Sequence, residues 1–272
     1  MLLYAFWCGS VVIVSPQLLT KHVSTSPLLY RAYRIIEEDE EVNELIKMSN
    51  VMAVTRLRYN DHGIVHARIV AGVALELFEL LLRAGRIPTT IRDGTVKTLD
   101  EAKLVVLLAA YLHDIGNAVH RVYHEYVGAL LAKDILNRLL PDILGFTGRR
   151  MLCIRQEVMH IIFATEYNTE CLTMECGTVK IADGLDMSEG RARIPYRLGK
   201  LDMHAVSALS IKKVEVENGE KPIKITVFMD DMAGLFQIEQ VLMPKIKTSA
   251  IDDAIEIYIS TANKVVKYYP KE

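Results

Sequence analysis

Six residues of this chain could gather as ligands of a divalent cation: His66, His113, Asp114, His124, His160 and Asp183. Imidazole and carboxylate are side chains that first-row divalent metals accept, provided a rigid scaffold brings several together. Each of the six sits in an apolar, helix-patterned context, where a lone charged group would be costly. His66 opens "HARIVAGVALEL", His113-Asp114 closes "AKLVVLLAAYLHD", and Asp183 closes "VKIAD". A carboxylate at the end of such a run must be paired, hydrogen-bonded or bound to metal. Taken singly, a histidine on an apolar helix is ordinarily a core residue bonded to a backbone carbonyl. The set as a whole is what points to metal.

The elements that must position these residues are helices. From Ser26 to about Lys200 the chain shows long apolar-rich segments with almost no alternation. "DHGIVHARIVAGVALELFELLLRAG" predicts a strong helix, with Asp61 as its N-cap and Gly85 as its stop. Pro88 and Gly94 break the periodicity of "RIPTTIRDGTVKT", so a loop or short hairpin follows. Helices are expected again over 99–114, 118–140, 149–164 and 179–187. On a helix beginning at 118, His120 and His124 share a face one turn apart, so His120 is an alternative ligand or a donor to substrate. His62 stands in the same relation to His66 and is expected at the helix start, as a cap or a support behind the ligand. His22 and His204 have no supporting context.

After Met203 the pattern changes. "LSIKKVEVEN" and "KPIKITVFM" alternate about Asn218-Gly219 as a hairpin, "MAGLFQIEQVLMPKI" is helical, and "DAIEIYIS" alternates again. The fold expected is therefore mostly α: an irregular helical bundle over 1–203, including an apolar extension at 1–25, followed by a small ββαβ module over 204–272. The module lacks a catalytic signature; dimerisation or regulation is its expected role, and an exposed edge strand would make a homodimer easy to form.

The ordered set His66, His113-Asp114 and Asp183 resembles the HD superfamily of metal-dependent phosphohydrolases. "LHDIGN" is similar to that family's "HDIGK", and "IADGLDMSEGR" to its "AD…R" segment. "HEYVGALLA" and "VMHIIFATE" are similar to the segments carrying two further histidines in the subgroup that binds two metals. The likeness spans roughly residues 50 to 195. It implies a first cation held by His66, His113, Asp114 and Asp183. Asp114 would bridge to a second cation completed by His124 and His160. It implies hydrolysis of a phosphate ester or anhydride by a metal-bound hydroxide, with His113 and Asp114 at the reacting centre. Manganese, iron, cobalt, nickel, magnesium and zinc all suit such ligands. Asn117 stands where the family commonly has lysine, and would offer a substrate only an uncharged amide. Lys180, Arg191 and Arg193 could supply the positive charge instead, Arg191 having Asp186 or Glu189 as alternative surface partners. The expected substrate is a nucleotide or related small phosphate ester. A nucleotide-binding sensor with little turnover is the alternative, and a helical scaffold with a structural metal is a blander one.

Composition narrows the remaining classes. Half of the 272 residues are hydrophobic (51%), enough for a sizeable core, and the net charge of −2 gives no general case for nucleic acid or membrane as partner. The apolar start, "MLLYAFWCGSVVIVSP", is shorter than the roughly twenty residues a spanning helix needs. It is expected to be an extra buried strand or helix, or to result from a misplaced start. Cys8, Cys153, Cys171 and Cys176 show no framework spacing, which suits a reducing cytoplasm, and Cys171 and Cys176 are expected to be ordinary small apolar residues.

Overall fold

The computed structural model describes residues 11–188 and 203–271. Helices α1 (Gln17–Val23), α2 (Pro27–Glu38) and α3 (Glu40–Asn50) come first, and a wide turn over Val51–Arg56 follows α3. Next are α4 (Ile64–Arg83), α5 (Thr89–Arg92), α6 (Leu99–Leu112), α7 (His124–Leu144), α8 (Arg149–Ala164) and α9 (Met174–Leu185). The helical expectation between Ser26 and Met187 holds, and α8 has the bounds the periodicity predicts.

α6 is the central element because its sequence has no polar stripe. From Leu104 to Leu112 every side chain is buried, which suits a helix packed on several sides. Its start is fixed chemically: Thr98 Oγ1 accepts from the Glu101 N–H (3.2 Å), and the Glu101 carboxylate accepts from the Lys97 N–H (2.7 Å). α4 and α9 pack against α6 and against each other. Their apolar sides join one continuous core running from Val12 to Ile259.

The C-terminal part begins with α10 (Met203–Leu209) and builds a five-stranded sheet, one strand richer on each side than the expected ββαβ module. β1 (Val12–Ile13) comes from the N-terminal extension and pairs antiparallel with β2 (Ile211–Glu217). The hairpin expected about Asn218-Gly219 joins β2 to β3 (Ile223–Met229). β4 (Ile255–Ser260) lies parallel to β3, which requires a crossover, and β5 (Val265–Tyr269) closes the order β1-β2-β3-β4-β5. The crossover is a helical run, here α11, made of Leu235–Gln237, Ile238–Leu242 and Met243–Lys247.

α11 packs on α9. At Gly177 of α9 a Cβ would stand 2.2 Å from the Ser249 carbonyl oxygen, so only glycine lets the two parts approach so closely. That contact brings the C-terminal part up to the helix carrying Asp183.

Among the described residues, no helix is long and apolar enough to cross a membrane. Cys171, just ahead of α9, and Cys176, in its first turn, are joined by a disulfide with Cα atoms 5.5 Å apart, so they are not ordinary apolar residues. Their pairing depends on the turn between Ala164 and Met174, which periodicity does not describe. The bridge also removes the support that cysteine usage lent to a reducing compartment.

Candidate metal centre

Three helix ends meet at the centre. The approach to α4 is tied down where Asn50 Oδ1 accepts from the His62 N–H (3.0 Å) and Asp61 Oδ1 accepts from the Gly63 N–H (2.8 Å). Gly63, not Asp61, is therefore the N-cap, and Asp61 shapes the turn before it. The His62 ring stacks on that of His66, centroids 5.6 Å apart, and lies on the pocket side rather than behind the ligand. α6 ends at His113, and Asp114 opens a tight turn over Ile115–Ala118. At Gly116 of that turn, a Cβ would stand 1.9 Å from the His124 carbonyl oxygen. The glycine of "HDIGN" therefore permits the approach to α7 that sets His124 near Asp114. α9 supplies Asp183 from its last turn, and Asp186 lies just past its end.

Three ligand atoms, from His66, His113 and Asp114, lie within 4.8 Å of one another, and Asp183 stands beside both histidines. His66 Nε2 lies 3.3 Å from His113 Nε2, 3.4 Å from Asp114 Oδ2 and 3.2 Å from Asp183 Oδ1. His113 Nε2 lies 3.4 Å from Asp114 Oδ2 and 3.7 Å from Asp183 Oδ1. The far side of each ring fixes its tautomer. His113 Nδ1 faces the Ala110 carbonyl at 2.8 Å, and a carbonyl can only accept, so Nδ1 carries the proton. His66 Nδ1 likewise donates to Asp186 Oδ2 at 2.7 Å. Each Nδ1 proton is thus directed outward, and the two Nε2 atoms face each other beside Asp114 and Asp183. Asp114 Oδ2, buried, has no hydrogen-bond donor.

Such an arrangement is unfavourable without a cation and natural with one. Ligands about 2.0–2.2 Å from a single divalent ion lie about 3–3.6 Å from their neighbours, close to the separations here. Two imidazoles and two carboxylates suit a first-row divalent cation, and the second atom of each imidazole is already held by an acceptor. The residues therefore fit a metal.

Positive charge at this place, whether on the rings or on a bound cation, is what keeps the two carboxylates ionised. Burial pushes the Asp114 carboxyl up, but the facing imidazoles of His113, His62, His124 and His66 outweigh it and hold the group well below the usual range. Asp183 is also held well below, burial being outweighed by Lys245 and the two histidines. Both carboxylates are ionised at neutral pH.

The remaining expected residues separate by position. His124 stands beside the other oxygen of Asp114, Nε2 to Oδ1 at 3.4 Å, while its Nδ1 faces Glu125 (2.9 Å) and the Arg121 carbonyl (2.9 Å). Burial alone would lower its basicity, but Asp114 and Glu125 raise it. Arg121 Nη1 lies 2.9 Å from His124 Nε2 and 3.2 Å from Asn117 Oδ1. His160, half-buried, accepts from the Leu172 N–H (3.4 Å) and does not line the central pocket; burial lowers its basicity.

Several substrate contacts expected from sequence lie elsewhere. Asn117 is buried behind Asp114, donating to Oδ1 (2.9 Å) and to the backbone carbonyl (3.1 Å), so it orients a ligand. His120 is exposed and accepts from the Val122 N–H (3.0 Å). It does not share a helix with His124, because Tyr123 has φ +62° and α7 starts only at His124. Lys180 is fully buried and reaches away from the pocket, donating to the carbonyls of Glu166 (2.7 Å) and Thr169 (2.6 Å). Carbonyls in the turn after α8 have no helical partners, and the long lysine stem serves them. Burial and the neighbouring Lys245 push its ammonium down to about 8. Arg191, Arg193 and the His204 side chain lie outside what is described. His22 is not incidental, since its Nε2 pairs with the buried Glu76 at 2.9 Å.

Three residues near the metal ligands were not foreseen in the roles they play. Asp186 follows Asp183 by three, a helical spacing that could have flagged it as the partner of His66. Arg121 was hidden in the assumed helix. Lys245, on α11, had no local signal. Its Nζ lies 2.8 Å from Asp183 Oδ2 and 3.3 Å from the Thr165 carbonyl. Burial alone would lower its basicity, but Asp183 and Tyr167 raise it. A pocket of about 460 Å³ opens over the centre, lined by His113, Asp114 and Asp183 and by Tyr59, Arg121, Tyr167, Gln237 and Lys245 among others, with His66 outside its lining.

This site on this bundle defines a class. The HD domain model matches residues 63–188, the span that holds His66, His113, Asp114 and Asp183. The chain also aligns with the uncharacterized protein MJ1020 of Methanocaldococcus jannaschii, 41% identical over 227 residues, covering 83% of this chain and 86% of that one. The chain belongs to the HD-domain family, a superfamily of metal-dependent phosphohydrolases. No solved structure matches it at a significant level.

Proposed function

We propose that the protein is a metal-dependent phosphohydrolase acting on a nucleotide or similarly small phosphate ester. One observation carries the reading: His66 and His113 turn Nε2 toward the undonated oxygen of Asp114, Asp183 stands beside both rings, and His113, Asp114 and Asp183 line an open pocket. A structural metal is usually closed off by its ligands, whereas this cluster faces a cavity. The cation supplies Lewis acidity and a water acidic enough to ionise near neutral pH.

The chain's own groups do the rest. Asp186 and the Ala110 carbonyl hold the two imidazoles in the ligating tautomer. Asn117 and Ser49 fix Asp114, the serine by donating to its carbonyl at 3.1 Å. His124, with its proton held at Nδ1 by Glu125, stands next to Asp114, placed to complete a second cation site or to exchange a proton with the substrate. The pocket volume falls in the usual range for small-molecule sites, about 300–1,000 Å³. Tyr59 and Tyr167 bring aromatic rings to the pocket wall, the latter already beneath Lys245 Nζ at 4.6 Å.

Purified protein loaded in turn with manganese, iron, cobalt, nickel, magnesium or zinc should hydrolyse at least one member of a nucleotide and phosphomonoester panel. Tight nucleotide binding without turnover across that panel, with metal bound, would favour a sensor instead.

A further inference from the structure

Lys245 belongs to the C-terminal part of the chain, yet its ammonium sits in the wall of the HD-domain pocket. It is 3% exposed, and holding a cation at that depth is costly unless the site needs its charge. Its partner is itself a metal ligand. Asp183 divides its two oxygens, Oδ1 toward His66 and Oδ2 toward Lys245. Of the three donors of the Lys245 ammonium, Asp183 and the Thr165 carbonyl take two, and Nζ also stands 4.6 Å from the centroid of the pocket-lining Tyr167 ring, a weaker contact that a phosphate oxygen could displace.

The charge balance indicates what that third donor is for. One divalent cation is cancelled by the carboxylates of Asp114 and Asp183, and Asp186 and Glu125 add further negative charge around the pocket. A phosphate ester arriving there would be repelled. The cationic side chains lining the pocket, among the described residues, are Lys245 at the Asp183 end and Arg121 at the Asp114–His124 end. Neither Asn117 nor Lys180 can substitute, since one is turned behind Asp114 and the other into the Glu166–Thr169 turn.

We propose that Lys245 is a substrate-binding residue: with Arg121 it receives the phosphate at the metal centre, so the C-terminal part completes the active-site pocket. This rests on the phosphohydrolase reading above. Both groups act as hydrogen-bond donors to phosphate oxygens and undergo no covalent change.

The test uses the full-length protein loaded with manganese, titrated calorimetrically with inorganic phosphate, with metal content measured on each sample. Lys245→Met keeps the stem and removes the charge. It should weaken phosphate binding about tenfold or more at unchanged metal content, raise KM for whichever ester is hydrolysed, and be partly rescued by Lys245→Arg. Phosphate binding equal to wild type in a metal-replete Lys245→Met protein overturns the assignment. So does a variant that loses metal but binds phosphate normally once metal is restored, because Lys245 would then serve only to hold Asp183. Should Lys245→Met not fold, crystals of the wild-type manganese protein soaked in phosphate decide. An anion within about 3 Å of Lys245 Nζ supports the proposal, and one bound out of its reach refutes it. Wild-type protein that holds metal but neither binds phosphate nor hydrolyses any ester brings down the phosphohydrolase reading and this assignment with it. Turnover that is indifferent to Lys245 brings down this assignment alone.

Discussion

Helix α4 carries two buried histidine–carboxylate clusters, and they are built on opposite principles. Near its start, His66 joins His113, Asp114 and Asp183. Ten residues on, Glu76 meets His22 and Lys21, both within 2.9 Å of the same carboxylate oxygen. In the second cluster donors face an acceptor, and the charges can be satisfied from within the chain. In the first, two ring nitrogens face each other with their protons directed away, and Asp114 Oδ2 has no donor. Burial, histidine and carboxylate are common to both. What separates a metal centre from a structural pair is whether acceptors have been aimed at acceptors, since only a cation satisfies that arrangement.

The strongest way to break the comparison is to remove a ligand from each cluster. Asp114→Ala or His113→Ala should reduce metal content and hydrolysis to background, whereas Glu76→Gln should leave metal content at the wild-type level. Metal loss in Glu76→Gln would mean that the two clusters are coupled rather than distinct.

A milder probe leaves every ligand in place. Asp186→Asn keeps the shape but exchanges an ionised acceptor of the His66 proton for a neutral amide. Metal affinity, measured by competition with a chromophoric chelator, should fall about 10–100-fold. An unchanged affinity would show that Asp186 does not orient His66.

On the structural side, Glu76→Gln should lower stability to chemical denaturation by about 1–3 kcal/mol, because it leaves the buried His22 and the half-exposed Lys21 without their anion. An equal loss on adding a chelator to that variant and to wild type would confirm that the two stabilities add independently.

The smallest effect is pH-dependent. Burial pushes the Glu76 carboxyl up, but His22 and Lys21 outweigh it and bring it down to about 2, against 4.5 ordinarily. A carboxyl depressed on folding stabilises fully above its unfolded value and loses that contribution as pH falls through its folded one. Wild type should therefore lose about 1–2 kcal/mol of stability between roughly pH 5 and pH 2 that Glu76→Gln does not lose, after allowance for the exposure of Lys21. Parallel stability–pH curves for the two proteins would remove the pair from the account.

The same contrast explains how far the sequence could be read. Helical periodicity located α4, α6, α8 and α9, and the ligands sit at helix ends, where an apolar run stops at a charged residue. That junction marks His113, Asp114 and Asp183 as candidates, and it was their order with His66, near the start of α4, that matched the HD-family pattern. His120 was misplaced because one residue, Tyr123, adopts φ +62° and cancels the register of the turn before α7. Lys180 was misread because periodicity gives a side chain's face, not its reach: its stem extends to the carbonyls of Glu166 and Thr169. The strand β1 and the disulfide depend on segments meeting from far apart in space or across an irregular turn. Lys245 was invisible for the same reason, since its place in the pocket comes from the packing of α11 on α9, where a Cβ at Gly184 would meet Leu242 and Lys245.

The most direct test of the central claim is elemental analysis of purified full-length protein after exchange into divalent metal, with Asp114→Ala and Glu76→Gln run alongside. At least one divalent ion per chain is expected in wild type and Glu76→Gln, and none in Asp114→Ala. A second equivalent in wild type would assign His124, beside the other oxygen of Asp114, to a second site. Wild-type protein that takes up no metal, or Asp114→Ala that takes up as much as wild type, would contradict that claim.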